Sequence, residues 1–164
     1  MTKIQNKIFS LLFAVLAFLA PAAALAVTDL GINANGVWMS VPFDKIEVNQ
    51  TVRIYTRVEN GSDEDAIAEV EFYIDDVRIG ARSITVLSEE KGVAFWDWKT
   101  PVDPKQFTLS IRIHDQEGKD TNPSNDTVTF YELWVNADTD ADQVYNRLDN
   151  CPAIVNTDQA DADK

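Results

Sequence analysis

Acidic side chains recur at regular intervals near the carboxyl end of this chain. Asp138, Asp140, Asp142, Asn146 and Asp149 stand at positions 1, 3, 5, 9 and 12 of one loop, the spacing at which calcium-binding loops place their oxygen ligands. Two carboxylates about 4 Å apart repel each other by roughly 4 kcal/mol at an effective dielectric constant of about 20, so several of them converge only around a cation. The spacing therefore predicts a metal site.

The ligand types indicate which metal this loop would hold. Every side chain in the set offers an oxygen, with neither histidine nor thiolate, and such hard ligands favour calcium over zinc. A long, flexible loop also suits calcium better than magnesium, which demands octahedral geometry. Val144, at position 7, would contribute its backbone carbonyl. The alternative is a solvated acidic tail, but the strict alternation of Asp and the Asp-Asn-Cys-Pro that follows favour the calcium site.

Residues 138–163 resemble the thrombospondin type 3 repeat. Their sequence, DTDADQVYNRLDNCPAIVNTDQADAD, is similar to that family's pattern D-x-D-x-D-G-x-x-D-x-x-D-N-C-P-x-x-x-N-x-D-Q-x-D-x-D. The resemblance implies a chain that wraps around calcium ions with little core of its own, of the kind that recurs in secreted and cell-surface proteins.

Two residues depart from the repeat pattern. Gln143 stands where the family usually has Gly, at a sharp turn that favours positive φ. Asn146 is neutral at position 9, which removes one charge. Both changes predict a weaker site, within the roughly 10⁻⁴ to 10⁻³ M range of extracellular calcium modules.

The end of the sequence suggests a longer repeat array. Asp161 and Asp163 would be positions 1 and 3 of a second loop, which stops at Lys164. The resemblance implies that Cys151 pairs with a cysteine further along, yet Cys151 is the single cysteine of the chain. An odd thiol in an exported chain predicts an intermolecular partner or a missing segment, and the alternative is a free, exposed thiol. We expect the chain to be truncated.

The first 26 residues have the organisation of a secretory signal peptide. Lys3 and Lys7 give a basic start, residues 8–19 are mostly apolar, and Ala-Leu-Ala at 24–26 is a small-x-small cleavage site. The apolar run is shorter than the roughly 20 residues of a membrane span, although an uncleaved anchor is the alternative. We expect cleavage after Ala26, a secreted or cell-surface location, and no membrane span in the mature chain.

The mature chain is strongly acidic. Residues 1–26 contain two lysines and no acids, so 27 acidic and 12 basic residues remain, a net charge of −15. Such a field repels phosphate backbones and anionic lipids. The charge therefore argues against binding to nucleic acids or to membrane surfaces. The partners we expect are calcium and a cell-surface protein or a polysaccharide.

The body of the chain alternates between apolar and polar residues with a period of two. Val52, Ile54, Thr56 and Val58 alternate with polar neighbours, and similar runs cover residues 66–74 and 107–113. Turn signals separate these runs, and residues 77–79 and 83–87 are predicted as two separate strands. The pattern predicts an all-β fold, an immunoglobulin-like antiparallel β-sandwich over residues 27–136, followed by the irregular calcium-binding repeat over residues 137–164.

The body also resembles the CARDB family, cell-adhesion-related domains of bacteria. The similar segments are VEFYIDD at 70–76, VAFWDW at 93–98 and NPSND at 122–126, within a likeness that spans residues 28–136. The resemblance implies an extracellular immunoglobulin-like spacer or adhesion unit without catalytic residues.

Few residues of the body suggest catalysis. His114 is the only histidine and has no Ser or Cys partner by motif, so we expect it to be solvated. A paired Asp/Glu glycosidase site stays open because acids are numerous, but nothing marks a particular pair. The sequence therefore favours a protein that is not an enzyme.

The tryptophans offer one further option. Trp96 and Trp98 stand two residues apart, so they share one face of a strand. Facing outward they would form a platform for sugar rings, and facing inward they would be core, which we favour. Trp38 and Trp134 are predicted as packing residues.

The combined hypothesis is a secreted or cell-surface calcium-binding structural or adhesion module, in which the repeat is a calcium-stiffened connector. The alternative is a non-catalytic carbohydrate-binding or accessory module of a larger exported hydrolase.

Overall fold

The chain folds into eight β-strands and two short 3-10 helices within residues 27–160, the range that this computed structural model describes. The strands are β1 (Leu30–Gly31), β2 (Val37–Met39), β3 (Thr51–Asn60), β4 (Ala66–Ile74), β5 (Val77–Val86), β6 (Lys91–Lys99), β7 (Lys105–Asp115) and β8 (Thr127–Val135). The 3-10 helices are Ala34–Gly36 and Pro123–Asn125. The predicted signal peptide, residues 1–26, and the predicted ligands Asp161 and Asp163 lie outside the described range. Within that range, no helix combines the length and apolarity that a membrane crossing needs.

The strands form two antiparallel sheets. In the first sheet, β3 is central, with β6 along one side and β1 and β2 along the other. In the second sheet, the order is β5-β4-β7-β8. The fold is therefore all-β and antiparallel, as predicted from the sequence.

The predicted alternation is confirmed on the central strands. The buried residues are Val52, Ile54, Thr56 and Val58 on β3, Ala68, Val70, Phe72 and Ile74 on β4, and Phe107, Leu109, Ile111 and Ile113 on β7. Apart from Thr56, these side chains belong to one hydrophobic cluster, to which both sheets contribute. Each buried large aliphatic or aromatic side chain stabilises the fold by roughly 1.5–3 kcal/mol, so this shared core holds the two sheets together.

The prediction of two strands between residues 77 and 87 is wrong, because β5 runs without a break from Val77 to Val86. Gly80 pairs with Phe72 of β4, next to a shift in register, since Tyr73 pairs with Arg78. A Cβ added at Gly80 would lie 2.0 Å from the ring of Trp96. Gly80 therefore does not mark a turn. It lies inside β5, at a point where the indole of Trp96 on β6 comes close to the backbone.

The tryptophans divide between the core and the surface. Trp98 is 6% exposed and meets Phe107 edge-on at 5.6 Å between ring centroids, and Trp96 packs partly buried against the core. The inward orientation of this pair is therefore observed, and the outward platform of Trp96 and Trp98 is not. Trp38 and Trp134 are each 36% exposed, so the expectation that both are packing residues is only partly correct.

Residues 136–160 leave β8 as turns and bends and dock against the end of the sandwich. Asn136 is 1% exposed, and its side-chain amide donates to the carbonyl of Ile46 at 3.1 Å. Its side-chain oxygen accepts from Nε of Arg147 at 2.7 Å. The guanidinium of Arg147 also lies over the ring of Trp134, 5.2 Å from its centroid. Asn136 thus links the sandwich and the acidic loop directly.

Candidate metal centre

Local turns of the aspartates shape the acidic loop. In each turn, a carboxylate oxygen accepts a hydrogen bond from the backbone N–H two residues later, as expected for Asp. The pairs are Asp140 with Asp142 at 3.3 Å, Asp142 with Val144 at 2.8 Å, and Asp149 with Cys151 at 2.8 Å. Asp138 accepts from the N–H of Gln143 at 2.9 Å. One oxygen of each carboxylate is thereby fixed by the backbone.

The first three aspartates of the loop converge. One oxygen each of Asp138, Asp140 and Asp142 lie within 4.8 Å of one another. Oδ1 of Asp138, Oδ2 of Asp140 and Oδ2 of Asp149 are buried, and no donor among residues 27–160 reaches them. A buried carboxylate oxygen without a partner loses its hydration free energy, and no hydrogen bond or cation compensates for that loss. A cation placed among these oxygens would remove that cost.

Electrostatic repulsion is concentrated at Asp140. Burial raises the pKa of this carboxyl above its ordinary value, and the charges of Asp142, Asp149 and Asp138 raise it further, against a lowering by the N–H of Asp142. Asp149, eleven residues after Asp138 in the sequence, is therefore within electrostatic reach of the cluster.

Asp142 anchors the loop to the residues that follow it. Asp142 is only 2% exposed. Its second oxygen accepts from the backbone N–H of Asn156 at 3.0 Å. This contact joins the acidic loop to the segment after Cys151.

The side chain of Asn146, the predicted ligand at position 9, is hydrogen-bonded to Thr139, and its role as a ligand stays a prediction. Its side-chain oxygen accepts from the N–H of Thr139 at 2.9 Å, and its amide donates to the hydroxyl of Thr139 at 2.7 Å. Asn146 therefore closes the loop through Thr139. The carbonyl of Val144 stays a predicted ligand, and only the N–H of Val144 has a described role, toward Asp142.

The position usually held by glycine has the backbone that glycine favours. Gln143 has a φ of 77°, so the prediction of a turn with positive φ at this position is confirmed. A non-glycine residue in this region carries a steric cost between its Cβ and the following carbonyl.

Sequence reasoning missed the residues that support Asp149. Nε2 of Gln159 donates to Oδ1 of Asp149 at 3.0 Å, and the carbonyl of Gln159 accepts from the side chain of Asn150 at 2.9 Å. The available signal was the N-x-D-Q portion of the repeat pattern, which contains Asn156 and Gln159.

A second polar cluster lies on the outer face of the second sheet. Glu71 accepts from the hydroxyl of Tyr73 at 2.7 Å, and Nε2 of His114 lies 3.1 Å from it. Arg78 forms an ion pair with Glu71 at 3.1 Å. Burial alone would raise the pKa of Glu71, but these hydrogen bonds and the charge of Arg78 lower it below its ordinary value. His114 is exposed as expected, although it contacts Glu71 instead of being surrounded only by solvent.

The acidic loop fits a hard divalent cation on its own chemistry. All of its convergent ligand atoms are carboxylate oxygens, and three buried oxygens have no other partner among residues 27–160. Oxygen ligands of this kind suit calcium, magnesium or manganese and not zinc.

The fold is similar to that of CARDB domains. The CARDB domain of a Pyrococcus furiosus protein, solved in complex with di-metal ions, matches with a TM-score of 0.53 and 20% identity, covering 68% of this chain and 96% of that one. A domain of a protein assigned to the cell surface of Methanosarcina acetivorans matches with a TM-score of 0.50 and 21% identity, covering 66% of this chain and 92% of that one. The predicted CARDB-like, immunoglobulin-like fold of the body is confirmed.

Part of a glycosidase shares this fold. A calcium binding mutant of Bacteroides uniformis beta-glucuronidase 2 matches with a TM-score of 0.50 and 16% identity, covering 65% of this chain but only 14% of the enzyme. No curated protein matches the chain in sequence.

These features define a CARDB-like all-β domain with an acidic loop at one end. The chain belongs to the family described as a domain of unknown function (DUF8194), whose profile matches residues 45–131. The resemblance of residues 138–163 to the thrombospondin type 3 repeat stays a prediction.

Proposed function

We propose that this protein is a secreted or cell-surface structural and adhesion module whose carboxyl-terminal repeat is a calcium-stiffened connector. The domains are a signal peptide over residues 1–26, the CARDB-like sandwich over residues 27–136 and the repeat over residues 137–164. The observation that carries the proposal is the convergence of Asp138, Asp140 and Asp142, with buried oxygens that lack donors.

Calcium is the cation that the ligand set favours. The loop offers only oxygens at its predicted ligand positions, and calcium accepts six to eight oxygen ligands in flexible geometry. The di-metal complex of the Pyrococcus furiosus CARDB domain supports metal binding in proteins of this fold. The likeness to a domain assigned to the Methanosarcina acetivorans cell surface supports an extracellular role.

Calcium would convert the repeat from a self-repelling segment into a fixed turn. Its positive charge offsets the repulsion among the carboxylates, so metal binding and ordering of the loop are one event. The contact of Arg147 with Asn136 then fixes the loop against the sandwich. The repeat would thereby hold the next segment of a surface protein in a set direction.

Isothermal titration of the exported chain with calcium chloride tests this proposal. We expect a dissociation constant in the roughly 10⁻⁴ to 10⁻³ M range, with increased amide protection over residues 138–156. Asp140→Asn should weaken binding at least about tenfold, because it removes charge where a buried oxygen lacks a donor.

The matched control is Asp63→Asn, which removes one exposed carboxylate far along the chain from the loop and should leave the affinity unchanged. Absence of binding heat at millimolar calcium together with unchanged amide protection would refute the calcium proposal. Equal weakening by both variants would reduce it to a general charge effect.

A second candidate function is an accessory module of a larger exported hydrolase. Its support is the likeness to a small portion of a beta-glucuronidase. The discriminating observation is an in-frame catalytic domain encoded beyond codon 164, whose presence would favour the accessory role. The prediction that this chain itself is not an enzyme is part of both candidates.

A further inference from the structure

The outer face of the first sheet presents a row of aromatic rings. Trp38 on β2, Tyr55 on β3 and Phe95 on β6 are direct neighbours across the three strands. The rings of Trp38 and Tyr55 stack at 5.1 Å with 6° between their planes, and Tyr55 and Phe95 are 6.0 Å apart. These rings lie on the opposite face of the sheet from the core positions Ile54 and Ala94. A contiguous aromatic row outside the core is a surface that a partner could cover.

Arginines lie over this row. The guanidinium carbons of Arg53 and Arg82 are 4.3 and 4.5 Å from the ring centroid of Phe95. That of Arg57 is 5.9 Å from the centroid of Trp38. Cations held over aromatic rings in this way keep a fixed position while their donors stay available.

The sheet register places further cations on the same face. Its cations are Arg53, Arg57, Arg82, Lys91 and Lys99, and its carboxylates are Glu59 and Asp97. Five of the 12 basic residues that follow Ala26 are therefore gathered here with two of the 27 acids. The face carries about three net positive charges, whereas the residues after Ala26 together carry −15. Because the Debye length is about 8 Å at physiological salt, an anion that approaches this face senses mainly the charges of the face itself.

One carboxylate of this face is positioned to accept hydrogen bonds. Asp97 takes two hydrogen bonds from Arg53, at 2.7 and 2.8 Å, and its side chain is still 45% exposed. Beside it lies a shallow hollow of about 170 Å³ lined by Arg82, Phe95, Trp96 and Asp97. The hollow combines apolar ring surface, a guanidinium donor and a carboxylate acceptor.

We propose that this aromatic–basic face binds an acidic polysaccharide. The arginines would pair with carboxylates of the polymer, the ring of Phe95 would contact the apolar C–H side of a pyranose ring, and Asp97 would accept from its hydroxyls. An acidic peptide is less suited, because Asp97 would repel its carboxylates and would find no sugar hydroxyls from which to accept hydrogen bonds. The face is open along the ten residues of β3, which favours an extended polymer over a small molecule. The inference does not rest on calcium binding by the loop.

Binding of the exported chain to carboxymethyl dextran, to neutral dextran of the same length and to poly-L-glutamate tests this proposal at fixed calcium. We expect carboxymethyl dextran to bind at least tenfold more tightly than either of the other polymers, with affinity falling as salt rises. The double variant Arg57→Gln/Arg82→Gln should lower that affinity at least tenfold. Neither arginine has a carboxylate partner among residues 27–160.

The matched control is Arg112→Gln, a change at a partly exposed arginine that lies over Tyr73 on the second sheet, and it should change the affinity less than twofold. Phe95→Leu should weaken binding severalfold without changing the salt dependence. If Phe95→Leu does not fold, the affinity of the arginine double variant alone tests the proposal. Equal binding of poly-L-glutamate would assign the face to an acidic peptide and overturn the proposal. Absence of binding to carboxymethyl dextran, or an arginine variant that binds like the parent, would also overturn it.

Discussion

Gln143 holds a backbone conformation that is costly for its own side chain. Its φ of 77° lies in the left-handed region, which costs a residue with a Cβ about 1 kcal/mol. Gln143→Gly should therefore tighten calcium binding by about two- to fivefold, allowing for the greater freedom that glycine loses on ordering. Titration calorimetry measures the change.

The matched variant is Gln143→Ala, which keeps the Cβ and should bind calcium like the parent. If Gln143→Ala tightened binding as much as Gln143→Gly, the side chain of Gln143 and not its backbone would be the cause.

Glu71 makes the stability of the sandwich depend on pH. Its pKa lies below the ordinary value of 4.5, so the ionised form is favoured by folding, and this stability is present above pH 4.5 and lost as the pH falls through the folded pKa. Glu71→Gln should lower the free energy of unfolding by about 1–2 kcal/mol at pH 7, and the difference from the parent should shrink by pH 3.

Urea unfolding at the two pH values measures this effect. Glu69→Gln is the control, since Glu69 pairs with the same Arg78 but its side chain is 37% exposed, against 11% for Glu71, and it should change stability by less than about 0.5 kcal/mol. A Glu71→Gln deficit that is equal at both pH values would exclude ionisation of Glu71 as the cause.

Side-chain spacing predicted only the part of the loop that depends on near neighbours. The convergence of Asp138, Asp140 and Asp142 follows from turns that span two to five residues. The engagement of Asn146 by Thr139 and the support of Asp142 by Asn156 depend on how the loop closes in space. Such contacts are not encoded in a one-dimensional ligand pattern.

At the scale of elements, β5 and β6 pack closely against each other at Gly80. The ring of Trp96 lies where a side chain at Gly80 would be. Gly80→Ala should destabilise the domain by about 1–3 kcal/mol through overpacking, measured by chemical unfolding. Gly61→Ala is the control, because its added Cβ would meet Asp29 only at an ordinary 3.5 Å.

The double variant Gly80→Ala/Trp96→Leu makes room for the methyl group. It should lose less stability than the sum of its two single variants. Strict additivity would mean that Gly80 and Trp96 act independently.

The same pair explains why β5 was divided in the sequence prediction. On β3 buried and more exposed residues alternate throughout, and on β4 and β7 every second residue is a buried apolar one, so a period of two identifies all three strands. In β5, Gly80 interrupts the alternation, and the reason for glycine is an indole 16 residues later in the sequence. Contacts between strands, not local preference, decide this element.

At the scale of the whole molecule, Arg147 couples the loop to the sandwich. It donates to Asn136 at 2.7 Å and covers Trp134. With calcium at about ten times its dissociation constant, ligand binding adds about 1.4 kcal/mol to whatever unfolds with the site. The parent sandwich should therefore show a higher melting temperature in calcium.

Arg147→Ala should leave calcium affinity within about twofold but remove at least half of that rise in melting temperature, because the loop no longer unfolds together with the sandwich. Arg112→Ala, on the outer face of the second sheet, should retain the full rise. If the parent binds calcium but its melting temperature is the same with and without calcium, the contact of Arg147 with Asn136 does not couple the loop to the stability of the sandwich.

The chain enters and leaves the sandwich at opposite ends of β3. Leu30 pairs with Asn60 at one end, whereas Asn136 is hydrogen-bonded to Ile46 and Val48, just before Thr51 at the other end. The ten residues between span about 30 Å. A pulling force between a cell and its surroundings would run parallel to the strands, so their hydrogen bonds would have to shear together and could not open one at a time like a zipper.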